Sequence, residues 1–94
     1  MKTEVKQEVN DKNGFFYITI DNQPEAKMTF VFAGLDKIII DHTEVNEGHN
    51  GKGFGQMMVE QAVAFARIKN IKIIPLCPFV KKVFHKTPAY SDVL

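Results

Sequence analysis

Between Gly51 and Gly55 three glycines alternate with Lys52 and Phe54. Glycine then stops and a helical sequence begins at once, Gln56-Met57-Met58-Val59-Glu60-Gln61-Ala62-Val63-Ala64-Phe65. Glycine permits positive φ and close backbone approach, so such a loop can turn several amides toward one point. The first amides of the following helix lack internal acceptors, and the helix dipole favours an anion there. Loop and helix start together make a phosphate cradle. Two nucleotide patterns fail on these residues. Asn46 stands where the first glycine of a P-loop belongs, and Gly53 follows Lys52 in place of Ser or Thr. Met58 occupies the third glycine position of the dinucleotide fingerprint. In a plain turn Gly53 and Gly55 would each weaken the helix start by roughly 1 kcal/mol relative to Ala, which favours the phosphate reading.

Strands precede this loop. Val5, Gln7 and Val9 alternate with Glu4, Lys6 and Glu8, the period of a half-buried or edge strand. Asp11-Lys12-Asn13-Gly14 is a turn sequence, and Phe15 to Ile20 is the aromatic and β-branched second arm of a hairpin. Asp21-Asn22-Gln23-Pro24 breaks it, Ala26 to Ala33 resumes, and Gly34-Leu35-Asp36 leads into Lys37–Val45. Four strands joined by short turns imply an antiparallel meander. After the loop, a wheel from Phe54 groups Phe54, Met58, Ala62, Phe65 and Ile68 on one side and leaves Val63 among the polar residues. Lys69-Asn70 ends the helix. Ile71 to Leu76 is a short apolar strand that a crossover places parallel to Lys37–Val45, with regular pairing failing at Pro75. Pro78 suits the first turn of a short helix, and the residues from Lys86 onward read as irregular.

The 94 residues are 45% hydrophobic with eight Phe, enough for one modest core. Twelve Lys and Arg against eleven Asp and Glu give a net charge of +1. That balance gives no support to nucleic-acid or membrane-surface binding by bulk charge. A single Cys points to a reducing compartment. Met1 to Glu8 carries no apolar segment and no run is long enough to span a bilayer, so the expectation is a cytoplasmic location. No Cys/His cluster has metal spacing, and no metal site is expected.

Asn50-Gly51-Lys52-Gly53-Phe54-Gly55 resembles the acetyl-CoA loop of the GNAT superfamily of N-acetyltransferases, whose pattern is Q/R-x-x-G-x-G/A. Gly53 and Gly55 fill the two small positions, and Asn50 replaces the usual Gln or Arg. The resemblance runs from about Lys37 to His85. Cys77-Pro78-Phe79-Val80-Lys81-Lys82 and Pro88-Ala89-Tyr90 resemble the very short Yjdj-type branch. It implies one acetyl-CoA-binding domain over residues 1–94. The loop amides would hold the CoA pyrophosphate, and the pantetheine would lie between the strands ending near Val45 and Leu76. Cofactor contacts are thereby expected at Val45, at Asn50, Gly51, Lys52, Gly53, Phe54 and Gly55, and at Pro78 and Phe84. Full-sized members place two helices between their first and second strands to wall the acceptor pocket. Here only Asp11-Lys12-Asn13-Gly14 stands there, and the two final strands are missing.

Three residues are candidates for chemistry. By period two, His42 and Glu44 share a face with Ile38 and Ile40, and the resemblance places a base for the attacking amine about there. Histidine titrates near neutrality and is the more versatile of the pair. Cys77, the only thiol, ends the strand that would line the thioester. It is either a small buried hydrophobe or a nucleophile activated by a helix start at Pro78 and by a histidine, His42 or His85. Lys81, Lys82 and Lys86 form a basic patch, either a solvated helix face or a contact to the CoA 3′-phosphate.

The expected fold is therefore a compact GNAT-like α+β domain: a four-strand antiparallel meander, a crossover helix, a fifth parallel strand and a short C-terminal helix. The expected function is acetyl transfer from acetyl-CoA to an amine or thiol acceptor, a small molecule or a protein, through Cys77. The rivals are a non-catalytic acyl-CoA binding or sensing module and a structural adaptor.

Overall fold

The computed structural model describes residues 2–48 and 51–94, so the expected role of Asn50 lies outside the described residues. The chain runs β1 (Thr3–Val9), β2 (Asn13–Ile20), β3 (Gln23–Ala33), β4 (Lys37–Val45), α1 (Phe54–Lys69), β5 (Lys72–Pro75), α2 (Pro78–Lys86) and a closing 3₁₀ helix (Pro88–Val93). The strands form one sheet in the order β1-β2-β3-β4-β5. The first four pair antiparallel and β5 joins β4 in parallel, because α1 carries the chain back across the sheet before β5 begins. This is the expected architecture.

Local details differ from the expected turns. The first turn is centred on Asn10–Lys12, where the Asn10 Oδ1 accepts from the amides of Lys12 and Asn13. Gly14 already lies in β2, and a Cβ there would come within 2.6 Å of the Glu8 carbonyl oxygen. The second turn is only Asp21-Asn22, both at positive φ, and Gln23 and Pro24 belong to β3. The proline is absorbed by a bulge, since Ile18 faces Ala26 but Thr19 faces Pro24.

The core lies between one sheet face and α1. Phe16 sits 5.2 Å from Phe30 and 5.7 Å from Phe65, ring centre to ring centre, and Phe30 is also 5.7 Å from Phe65. Such ring pairs add about 0.5–1.5 kcal/mol each beyond the area they bury. The buried stripe of α1 is broader than the wheel suggested: Val63 is buried with Val59 and Ala66, whereas Ile68 is 85% exposed. The helix ends at Asn70 in the left-handed region, whose amide bonds back to Ala66 and Arg67. The residues after Lys86 are ordered rather than irregular. Val93 is buried, Arg67 makes a two-pronged bond to Asp92 at 3.0 and 2.8 Å, and Tyr90 packs edge-on against Phe84.

Candidate functional site

Halfway along β4 the sheet opens. Its ladder with β5 ends at the pair Ile40 and Pro75, and the amides of Leu76 and Cys77 both converge on the Ile40 carbonyl at 3.0 and 3.2 Å. Proline has no N–H with which to continue, so the chain turns away into α2. The expected loss of pairing at Pro75 is what occurs. From Asp41 to Val45, β4 is bordered by β3 alone.

A one-residue bulge decides which side chains face this opening. Phe30 pairs with Ile40 but Thr29 pairs with His42, leaving Asp41 as the extra residue. Beyond a bulge the alternation is displaced by one. Thr43 and Val45 thus stand beside the buried Met28 and Ala26, on the face covered by helices. His42 and Glu44 stand beside Thr29 and Lys27 on the other face. The expectation that they share a face with Ile38 and Ile40 is therefore corrected. Their side chains are 65% and 61% exposed and lie 3.7 Å apart, His42 Nε2 to Glu44 Oε2.

On the helix side is a cleft of about 500 Å³. Thr43 and Val45 form one wall, Gly51, Gly53, Gly55 and Gln56 the end, and Phe79 of α2 the other wall. Gly51 and Gly53 lie at φ 85 and 77, a region costly for residues with a Cβ. Gly53 is the N-cap of α1, with no side-chain cap and no acidic residue in the first turn. The first intrahelical bond runs from the Met57 amide to the Gly53 carbonyl at 3.0 Å. The amides of Gly55 and Gln56 come before it and have no intrahelical acceptor. Gly55 is required for a different reason: a Cβ there would lie 2.4 Å from the Phe79 ring. The Phe54 ring is in the core, not in the cleft, and Lys52 is exposed between the glycines.

Cys77 is the N-cap of α2, and Pro78 takes the first helical position as expected. Pro78 is not among the residues lining the cleft. Cys77 is 9% exposed, and its thiol lies 3.6 Å from the Thr43 hydroxyl. Burial pushes its pKa up, but the Thr43 hydroxyl and the amides of Val80, Phe79 and Thr43 outweigh that, and the pKa falls below the ordinary thiol value. Neither expected histidine adjoins it. His42 faces the other side of the sheet, and His85 lies eight residues further along α2, about 12 Å of helix rise away. Phe84 is also displaced from its expected role, being buried against Tyr90 while Phe79 meets the cleft. Thr43, Gln56 and Phe79 escaped sequence reasoning. Phe79 lies outside the buried side of α2, which Val80, Val83 and Phe84 form.

The family model of the GCN5-related N-acetyl-transferases matches residues 15–93, a wider span than Lys37–His85. No curated protein matches the sequence. Among solved structures, a GCN5-like protein from Staphylococcus aureus is 35% identical, with a TM-score of 0.73 over 96% of this chain and 85% of that one. A ribosomal-protein-alanine N-acetyltransferase from Brucella melitensis biovar Abortus is 16% identical, with a TM-score of 0.69 over 82% of this chain and 62% of that one. A GNAT family acetyltransferase from Elizabethkingia anophelis, solved with acetyl-CoA bound, is 11% identical, with a TM-score of 0.66 over 82% and 53%. These last two are likenesses of fold, and the chain spans little more than half of each. The match over residues 15–93, on a sheet that opens beside a glycine-entered helix, shows that the chain belongs to the GCN5-related N-acetyltransferase family.

Proposed function

We propose that this chain binds acetyl-CoA in the cleft between β4 and α2 and transfers its acetyl group to an amine or thiol acceptor. One observation carries the reading: an uncapped helix start, entered through left-handed Gly51 and Gly53, closes the end of a cleft whose wall is the unpaired half of β4. The amides of Gly55 and Gln56 and the dipole of α1 receive the pyrophosphate. The pantetheine follows Val45 and Thr43 toward Cys77.

In this reading the Cys77 thiolate attacks the thioester carbonyl. Its bond to carbon forms as the carbon–sulfur bond to CoA breaks, and the CoA thiolate leaves and takes up a proton. The acceptor amine then attacks the acetyl-cysteine, loses a proton and restores the thiolate. Thr43 and the first amides of α2 favour the thiolate at both ends of this cycle. The acceptor arrives from the opposite face of the sheet, through the gap beside β4. His42 and Glu44 stand there, exposed, to take the acceptor's proton. The residues 10–12 connect β1 directly to β2, which leaves that face open and suits a bulky acceptor such as a protein chain.

Incubation with acetyl-CoA, followed by intact-mass measurement, should show one acetyl group added to the wild type and none to Cys77→Ala. Titration with desulfo-CoA reports binding independently of chemistry. Saturable binding with no acetyl adduct and no acceptor-dependent release of CoA thiol would leave a binding module, and no saturable binding would remove the cleft assignment. Gly53→Val, which adds bulk where nothing lies within 4 Å, should abolish binding.

A further inference from the structure

The cleft lies at the start of α1, and a different feature lies at its end. Gly34, at φ 72, turns β3 into β4 and leaves Leu35 101% exposed at the tip. Leu35 forms the lip of a hollow of about 340 Å³. The walls of this hollow include Val9 and Phe32 from the sheet, Asp11 from the β1–β2 turn and Lys69 from the last turn of α1. Val9 is 40% exposed, and Ile68, the neighbour of Lys69, is 85% exposed. A single exposed leucine is ordinary on a protein surface. Here three large apolar side chains are exposed at one end of the molecule, and the most exposed of them projects beside a hollow that has apolar walls. Asp11 and Lys69 are also exposed, and among the described residues neither makes an ion pair. Lys69 is held instead over the Phe65 ring, 5.4 Å from its centre.

We propose that this end of the molecule is an interface between two copies of the chain, related by a two-fold axis. Such an axis lays a patch on its own image, so the patch must supply both halves of every contact. This one does. Leu35 of each copy enters the hollow of the other, against Val9 and Phe32. The β1–β2 turn of each copy then lies across from the end of the other's α1, so Asp11 of one meets Lys69 of the other, and the pair occurs twice. An unrelated partner would need only one of these features, a hollow to fill or a leucine to bury. Their presence together, with one charge of each sign beside them, fits a second copy. A contact built on one apolar side chain and one ion pair per copy is small, so the dimer dissociates readily on dilution. The 16 residues of α1 separate this patch from the glycine-entered end by about 24 Å of helix rise. Both clefts therefore stay open in the dimer.

Sedimentation equilibrium of the full chain at low salt, from micromolar to millimolar concentration, tests this. The wild type should pass from monomer to dimer as concentration rises. Leu35→Asp should weaken the dimer roughly tenfold or more, because a charge replaces the apolar group that each hollow receives. The Leu35 side chain is fully exposed in the monomer, so the melting temperature of the dilute protein should not change. Asp11→Lys and Lys69→Asp should each dimerise several-fold more weakly, since like charges then face one another twice. An equimolar mixture of these two variants should form a heterodimer, in which both pairs are again of opposite charge. A wild type that stays monomeric at millimolar concentration would overturn the inference. So would a dimer that Leu35→Asp leaves as tight as before, or two charge variants whose mixture associates no better than either alone.

Discussion

Replacing Gly55 with alanine tests whether the wall of the cleft is held by a missing methyl group. Gly55 does not have positive φ, so alanine fits its backbone, and in a helix it is worth up to about 1 kcal/mol over glycine. Against that, the new Cβ would stand 2.4 Å from two carbons of the Phe79 ring and 3.3 Å from a third. Ordinary contact begins at about 3.5 Å, so the ring must move by about 1 Å. Overpacking of this kind costs about 1–3 kcal/mol, less when the ring can swing outward, as Phe79 at 41% exposure can. Gly55→Ala alone should therefore be neutral or destabilising by up to ~2 kcal/mol. In a Phe79→Ala background the obstacle is gone, and the same change should stabilise by up to ~1 kcal/mol. The coupling between the two positions is then about 1–3 kcal/mol. Urea unfolding of the four proteins, with unchanged slope, measures it. If Gly55→Ala stabilises both backgrounds equally, the ring does not rest on Gly55 and the wall assigned to Phe79 is wrong.

Other outcomes follow from the same geometry. Thr43→Val removes a hydroxyl that favours the Cys77 thiolate, so the pH midpoint for alkylation of Cys77 should move upward. An unmoved midpoint would remove Thr43 from the account. Thr19 is buried, and its Oγ1 has no hydrogen-bond partner among the described residues. Thr19→Val should therefore raise stability by about 1 kcal/mol in chemical unfolding, and a loss would mean that the hydroxyl is satisfied. Hydrogen bonding to Arg67 lowers the Asp92 pKa below its ordinary 3.8. The stabilisation is thus fully present above that value and is lost as pH falls through the depressed folded pKa. Melting temperatures of the wild type and Asp92→Asn should differ at pH 7 and converge in strong acid, and a constant difference would argue against the pair.

The meander, the crossover and the end of β5 were all legible, because alternation, glycine spacing and a strand proline act locally. The glycine-entered helix start was legible for the same reason: Gly51, Gly53 and Gly55 precede a strong helical run, and all three line the cleft. His42 and Glu44 were misplaced because period two assumes an uninterrupted ladder, and Asp41 bulges through its pairing with β3, which no residue within β4 announces. Phe84 was exchanged for Phe79 for a tertiary reason. Which side of α2 is buried depends on α1 and the 3₁₀ helix, whose residue Tyr90 claims Phe84. The docking of Pro88–Val93 rests on Arg67, 25 residues away from Asp92 in the chain, and contacts at that separation leave no periodic trace.

The extra residue in β4 has a further consequence, for how changes in length are tolerated. In most strands the loss of one codon shortens a strand or shifts a loop. Here, deletion of Asp41 would remove the one residue of β4 that has no partner on β3, and every remaining pair would stay as it is. His42 and Glu44 would remain beside Thr29 and Lys27, and Thr43 and Val45 beside Met28 and Ala26. A frame-preserving deletion at this position would thus straighten β4 while keeping both the sheet and the wall beside the thiol.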